Sequence, residues 1–143
     1  MPLRFLLSRL PPAKARLLTE LLRFGVVGTL GFLIDTATLY LALGAGAGLY
    51  LGRVLSYLVA ATANWGMNRA WTFRHAARGP PGRQWLAFLL VNLVGFAFNY
   101  GTYSLLVAQW PMAAAHPVIG VAAGSIAGLA GNFMLSRHFV FKA

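Results

Sequence analysis

Four long apolar stretches, at residues 21–43, 50–68, 85–109 and 117–136, fill most of this chain of 143 residues. A helix that crosses a bilayer needs about 20 mainly apolar residues, so each stretch is long enough to be one span. Only 10% of the residues are charged and 59% are hydrophobic, whereas soluble domains carry about 25% charged residues. The sequence therefore predicts an all-α polytopic membrane protein with four transmembrane helices, and leaves no length for a soluble catalytic domain.

The basic residues lie almost entirely on one side of this predicted topology. The net charge is +10, and all basic residues except Arg53 lie before or at the start of the first span, between the second and third, or after the fourth. By the positive-inside rule both termini and the central loop face the cytoplasm. We therefore expect a multi-pass protein of the cell (inner) membrane whose charge attracts anionic membrane lipids and not nucleic acid.

A motif of one asparagine, one arginine and two aromatic residues closes the second and the fourth stretch: Asn64, Arg69, Trp71 and Phe73 in one copy, and Asn132, Arg137, Phe139 and Phe141 in the other. The second and fourth stretches align at an offset of 68 residues, and the first and third at 64. We predict two parallel two-helix repeats, at 21–73 and 84–143, related by an axis along the membrane normal. Residues 1–20 are predicted to form a cytoplasmic interfacial segment, and residues 74–83 a flexible cytoplasmic linker.

Small and polar residues in the spans have both a structural and a functional interpretation. The stripe of Gly120, Gly124 and Gly128 predicts close helix packing, either within the monomer or between protomers. Asn64 and Asn132 either join helices by hydrogen bonds or take part in a ligand site. Both interpretations remain open at the level of sequence.

The arginines of the repeated motif are also open to two interpretations. Arg69 and Arg137 either anchor the inner helix ends by snorkelling or bind phosphate through the bidentate guanidinium fork. The aromatic residues that follow each arginine are predicted to form an interfacial belt.

Asp35 is the only acidic residue within a predicted span. Acids in spans are costly and usually face a bundle interior or a water-filled cavity. Asp35 is either hydrated near the outer interface or bonded to a polar ligand. Its repeat partner Asn99 is neutral, which favours hydrogen bonding over a symmetric proton relay.

Catalytic and metal sites are not indicated. The chain has no cysteine, and its histidines, His75, His116 and His138, are scattered without metal-ligand spacing. No nucleotide-binding motif occurs, and one buried acid without a base or nucleophile makes no catalytic group. We expect a protein that is not an enzyme and needs no cofactor or metal.

Taken together, these residues resemble the GtrA-like family, from the Arg23-Phe24-Gly25 run through Asp35 and the two asparagine–arginine motifs to Phe141. The resemblance implies a small four-span protein that flips a polyprenyl-phosphate-linked sugar, such as undecaprenyl-phosphate glucose, across the membrane. A separate membrane glycosyltransferase would then use the sugar for O-antigen, teichoic acid or other cell-surface polysaccharides. The second copy departs from the first in having Ser136 where Asn68 stands.

The residues and the resemblance combine into one expected substrate site. Its phosphate-binding members are Arg69, Arg137, Asn64, Asn68 and Asn132, and its sugar-binding members, deeper in the membrane, are Asp35 and Asn99. Four helices offer little interior for a headgroup, so we expect a homodimer or larger assembly. Two alternatives are a non-transporting anchor for a glycosyltransferase and a small multidrug exporter, although such exporters use an intramembrane glutamate that this chain lacks.

Overall fold

The computed structural model describes residues 2–76 and 79–143. Within those residues the secondary structure is helical, with no strand. The chain divides into two compact units, unit 1 (Met1–Arg74) and unit 2 (His75–Ala143). Residues 77 and 78 of the predicted linker lie outside the described residues, as does residue 1 of the predicted interfacial segment.

Unit 1 contains a short helix α1 (Pro2–Ser8), a long helix α2 (Pro12–Gly44) and a returning helix α3 (Leu49–Met67). Helix α2 starts earlier than the span predicted at residue 21. Pro12 suits a first helical turn, and the alanine, leucine, lysine and arginine residues that follow it favour helix. The charged residues before position 21 therefore limit the apolar stretch but not the helix. The turn after α2 contains Gly46 at φ +95°, a conformation that favours glycine.

Unit 2 contains α4 (Pro81–Gln109), a short α5 (Pro111–Ala115) and α6 (Pro117–Leu135). Helix α4 also begins early, at a proline inside the predicted linker. Helix α5 lies in the short segment between the third and fourth predicted spans.

Each long helix buries one narrow face against its returning partner. The buried positions recur three or four residues apart: Glu20, Phe24, Val27 and Gly31 in α2, and Gln84, Phe88, Val91 and Gly95 in α4. These two sets correspond at the offset of 64 residues. The predicted glycine stripe of α6 packs within unit 2, because a Cβ at Gly120 or Gly128 would lie 2.9 Å from the Tyr103 ring and 3.0 Å from Asn99 Cβ respectively.

The remaining faces of the long helices are apolar and exposed. Phe32 and Phe96, which correspond at the same offset, are each 67% exposed. Among the described residues, α2 and α4 are the helices long and apolar enough to cross a membrane. Helices α3 and α6 have 19 residues each, and the count of four spans stays a prediction.

Candidate functional site

In unit 1 the side chain of Asn64 lies directly against the backbone of Gly31. A Cβ at Gly31 would collide with the Asn64 amide, so the contact requires glycine on α2. The Asn64 Oδ1 atom is buried, and it has no hydrogen-bond partner in the described part of the chain. Buried polar atoms in folded proteins are nearly always bonded, so this acceptor calls for an explanation.

Unit 2 repeats both the contact and the unbonded acceptor. A Cβ at Gly95 would collide with the amide of Asn132, and Asn132 Oδ1 is buried without a partner among the described residues. The two glycines correspond at one sequence offset and the two asparagines at the other. A buried asparagine oxygen without a hydrogen-bond partner thus occurs at matched positions in both units.

Each repeated motif ends in a single turn of π-helix. The first π turn (Asn68–Thr72) follows α3, and the second (Ser136–Val140) follows α6. In each, a phenylalanine N–H donates to the carbonyl five residues earlier: Phe73 to Asn68 at 2.8 Å, and Phe141 to Ser136 at 2.9 Å. Such turns are rare and often lie at functional sites.

A phenylalanine pair lies behind each π turn. Phe73 packs edge-on against Phe24 with ring centres 6.3 Å apart, and Phe141 packs against Phe88 at 6.1 Å. Phe73 and Phe141 are buried, so their predicted place in an interfacial belt is wrong. The two rings thus lie in the interior of their units, directly after the π turn.

The other aromatic residue of each motif is exposed. Trp71 is 40% exposed and Phe139 is 60% exposed. These two rings remain available at the surface of their units, as expected for belt residues.

The π turns carry the two arginines of the motif. Arg69 is half-buried, with its guanidinium carbon 5.9 Å from the centre of the Trp65 ring. Arg137 is also half-buried, and its carbonyl accepts the Ala143 N–H at 2.8 Å. Both arginines are thus held partly against protein, close to the helix ends.

Asn68 lies in the interior of unit 1. It is 1% exposed, and its Oδ1 atom accepts a hydrogen bond from the Thr72 hydroxyl at 2.7 Å. In unit 2 the corresponding residues are Ser136 and Val140, and the buried Ser136 hydroxyl has no partner within residues 79–143. Asn68 is therefore bonded within the π turn and does not lie at the surface of the unit.

Asp35 forms an ion pair that the sequence analysis missed. Arg53 Nη1 donates to Asp35 Oδ1 at 2.9 Å and also lies 3.4 Å from the Ser56 hydroxyl. The side chains of Asp35 and Arg53 are 24% and 55% exposed. The sequence did contain a signal for this pair. Asp35 is the only acid within a predicted span, Arg53 is the only basic residue off the predicted cytoplasmic side, and both lie near the turn between α2 and α3.

The repeat partner of Asp35 has different surroundings. Asn99 packs against the glycine stripe of α6, where a Cβ at Gly124 would come within 2.8 Å of Asn99 Oδ1. The position that corresponds to Arg53 is Val121, so unit 2 lacks both charges.

The structure does not gather the predicted residues of unit 1 into one cluster. Arg53, the partner of Asp35, and Asn64 lie on α3 about 16 Å apart along the helix axis, at 1.5 Å per residue. Arg69 lies a further turn beyond Asn64. The polar groups of unit 1 are thus spread along the axis of the helix pair. No group of three metal-binding side chains occurs among the described residues.

A family model described as GtrA/DPMS, transmembrane domain, matches residues 23–141. The chain belongs to the GtrA/DPMS transmembrane-domain family. A search of curated proteins gave no significant match. As a GtrA/DPMS chain it is a membrane protein of the polyprenyl-phosphate sugar family, which confirms the resemblance. The GtrA/DPMS match includes both π turns and both glycine–asparagine contacts.

Proposed function

We propose that this GtrA/DPMS protein flips a polyprenyl-phosphate-linked monosaccharide across the cytoplasmic membrane for the synthesis or modification of cell-surface polysaccharide. The observation that carries the proposal is the unbonded acceptor of Asn64 and Asn132, which recurs at matched positions in both units. Family membership and the exposed apolar helix faces support the membrane setting and the class of lipid.

A lipid-linked sugar has a chemical need that these acceptors can meet. Its polyprenyl chain can stay in the bilayer, but its hydroxyls and phosphate lose water when they cross the hydrocarbon. Each asparagine residue is half-buried although its Oδ1 is fully covered, so rotation of the side chain would turn that oxygen outward. A sugar hydroxyl could then donate to it.

The arginines of the π turns suit the phosphate of the same lipid. A guanidinium can hold two phosphate oxygens at once, which an ammonium group cannot do as well. Arg69 and Arg137 stand just past the last turns of α3 and α6, where we place the cytoplasmic surface. In this proposal Asn68 stabilises the turn that carries Arg69 and does not itself touch the lipid.

Asp35 and Asn99 are proposed to bond sugar hydroxyls at a deeper level. The ion pair to Arg53 uses Asp35 Oδ1, which leaves the second carboxylate oxygen for a ligand. The same ion pair speaks against the multidrug-exporter alternative, because a cationic drug would compete with an arginine already 2.9 Å from the acid.

Transfer by purified protein in liposomes of neutral lipid tests this function. We expect Arg69→Ala and Arg137→Ala each to slow transfer of a labelled polyprenyl-phosphate sugar about tenfold or more, since hydrogen bonds to charged groups contribute about 1.5–3 kcal/mol. Arg4→Ala removes the same charge from exposed α1 and is the matched control.

Normal transfer by folded Arg69 and Arg137 variants would reject the phosphate assignment. No transfer by the wild type, together with copurification of a glycosyltransferase, would favour the anchoring alternative. The proposed homodimer is checked by the mass of the particle in the same preparations.

A further inference from the structure

Unit 2 contains a cavity of about 340 Å³ beside the start of α4 and the second π turn. The residues that give it chemical character are Arg83, Gln84, Ala87, Phe139 and Lys142. None of them belongs to the sites proposed above. The volume is that of a small ligand pocket.

The cavity is basic and has no acid to balance it. Arg83 and Lys142 are exposed, and neither forms an ion pair within the described part of the chain. The two acidic residues of the protein, Glu20 and Asp35, both lie in unit 1. Each of those acids is already bonded to an arginine of its own unit. No acidic side chain of unit 2 is therefore available to neutralise Arg83 and Lys142.

The corresponding place in unit 1 is filled and carries an acid. Arg23 stands where Ala87 stands in unit 2, and its guanidinium donates to the Trp71 carbonyl at 3.3 Å and lies 5.4 Å from the Trp71 ring centre. Glu20 takes the place of Gln84 and is buried. The two exchanges act differently. Gln84 in place of Glu20 removes a negative charge and so lowers the repulsion of an anion, whereas Ala87 in place of Arg23 removes a cation but leaves space for a ligand beside Phe139.

We infer that the unit 2 cavity binds a phosphate group, and that a membrane lipid carries it. Arg83 and Lys142 would bond the phosphate oxygens. The exposed Phe139 ring forms one wall, which gives the lipid portion an apolar path out of the cavity. The inference depends on the proposed function only for the choice of a polyprenyl phosphate as probe.

Equilibrium binding to the full-length protein in phosphatidylcholine nanodiscs tests the inference, with labelled polyprenyl phosphate in one arm and labelled inorganic phosphate in the other. We expect Arg83→Ala and Lys142→Ala each to weaken lipid binding about tenfold. Arg4→Ala and Lys14→Ala, which remove the same charges from exposed positions in unit 1, should leave it unchanged.

Two further variants separate a shaped site from general attraction to positive charge. Ala87→Arg adds a cation but reproduces the filled arrangement of unit 1, so the cavity predicts weaker binding whereas general attraction predicts tighter binding. Gln84→Glu has nearly the same size and introduces the acid of unit 1, but it loses the hydrogen bond from Gln84 Nε2 to the Val140 carbonyl at 3.4 Å. It should also weaken binding, and more than Gln84→Met, which loses the same bond without adding a charge. Folding of each variant is checked by size-exclusion chromatography and thermal unfolding.

The outcomes decide between the possibilities. Lipid binding that falls in all four cavity variants supports the inference. Inorganic phosphate that binds as tightly, with the same dependence, keeps the site and overturns its lipid source. Binding that is unchanged in folded Arg83 and Lys142 variants, or tighter in Ala87→Arg, overturns the site itself. Transfer measured in parallel keeps the two proposals distinct, because lost binding with normal transfer would place the cavity outside the transport route.

Discussion

Units 1 and 2 keep the same contacts between helices but differ in their charges. Both have an asparagine against a glycine, and both have a buried phenylalanine pair behind a π turn. Unit 1 adds two carboxylates, each bonded to an arginine, whereas unit 2 has no acidic side chain. The contacts that define the helix pair are therefore common, and the charged groups distinguish one unit from the other.

The difference concerns which charged side chains have a partner. In unit 1 both acidic side chains are bonded to arginines, and Arg23 occupies the place where unit 2 has Ala87. In unit 2 no acidic side chain is available to Arg83 and Lys142. The acid and its partner are absent together from unit 2, since Asp35 and Arg53 correspond to Asn99 and Val121.

The largest expected effect comes from the contact that the units share. Gly31→Ala and Gly95→Ala should each destabilise the protein by about 1–3 kcal/mol, because the added Cβ collides with Asn64 or Asn132 and overpacks the helix pair. Thermal and denaturant unfolding in detergent measures the loss. Nearly equal losses in the two units would show that the glycine–asparagine contact contributes equally to the stability of both.

Two other glycines provide controls on the same helices. A Cβ at Gly28 in α2 or at Gly101 in α4 would meet nothing within 4 Å. Alanine there should be neutral or mildly stabilising, because it favours helix more than glycine does. Equal effects at Gly31 and Gly28 would show that the asparagine contact contributes nothing to stability.

The second effect concerns the charges found only in unit 1. Asp35→Asn should cost about 1–2 kcal/mol by leaving Arg53 without its partner, less than for a fully buried pair because the Arg53 side chain is 55% exposed. The double variant Asp35→Asn with Arg53→Val copies the composition of unit 2. It should be more stable than Asp35→Asn, as unfolding curves would show. A double variant whose loss equals the sum of the two single losses would mean that the ion pair is energetically irrelevant.

The smallest effect lies inside the π turns. Thr72→Val removes the buried bond to Asn68 and should cost about 1 kcal/mol. Thr29→Val is the control, since the Thr29 hydroxyl bonds to the Gly25 carbonyl at an exposed position of α2. In unit 2, Val140→Thr offers the unbonded Ser136 hydroxyl a partner and should stabilise by up to about 1 kcal/mol. A Thr72→Val variant no less stable than Thr29→Val would argue against a structural role for Asn68.

Some features could be predicted from the sequence because they depend on local composition. The apolar stretches predicted the four longer helices, and the offsets aligned Gly31 with Gly95 and Asn64 with Asn132. That each glycine faces the asparagine of its own unit could not be predicted. When a helix is apolar on every side, its sequence does not show which face packs against the neighbouring helix. The residues in contact can then be identified only from the packed structure.

The parts of the candidate site that were missed depend on geometry that no local pattern encodes. The π turns arise from one extra residue in a helix turn, and the same residue types would fit an α-helical end. The partner of Asp35 depends on how α2 and α3 are aligned side by side. The cavity of unit 2 is lined by Ala87, where unit 1 has Arg23, and the importance of that exchange is visible only when both residues are seen beside their aromatic neighbours.

The strongest test of the proposed function is transfer of a labelled polyprenyl-phosphate monosaccharide by the purified protein in neutral-lipid liposomes. We expect faster transfer between leaflets than in protein-free liposomes, and slower transfer for Arg69→Ala and Arg137→Ala but not for Arg4→Ala. Transfer no faster than in protein-free liposomes, from wild-type protein shown to be folded, would contradict it.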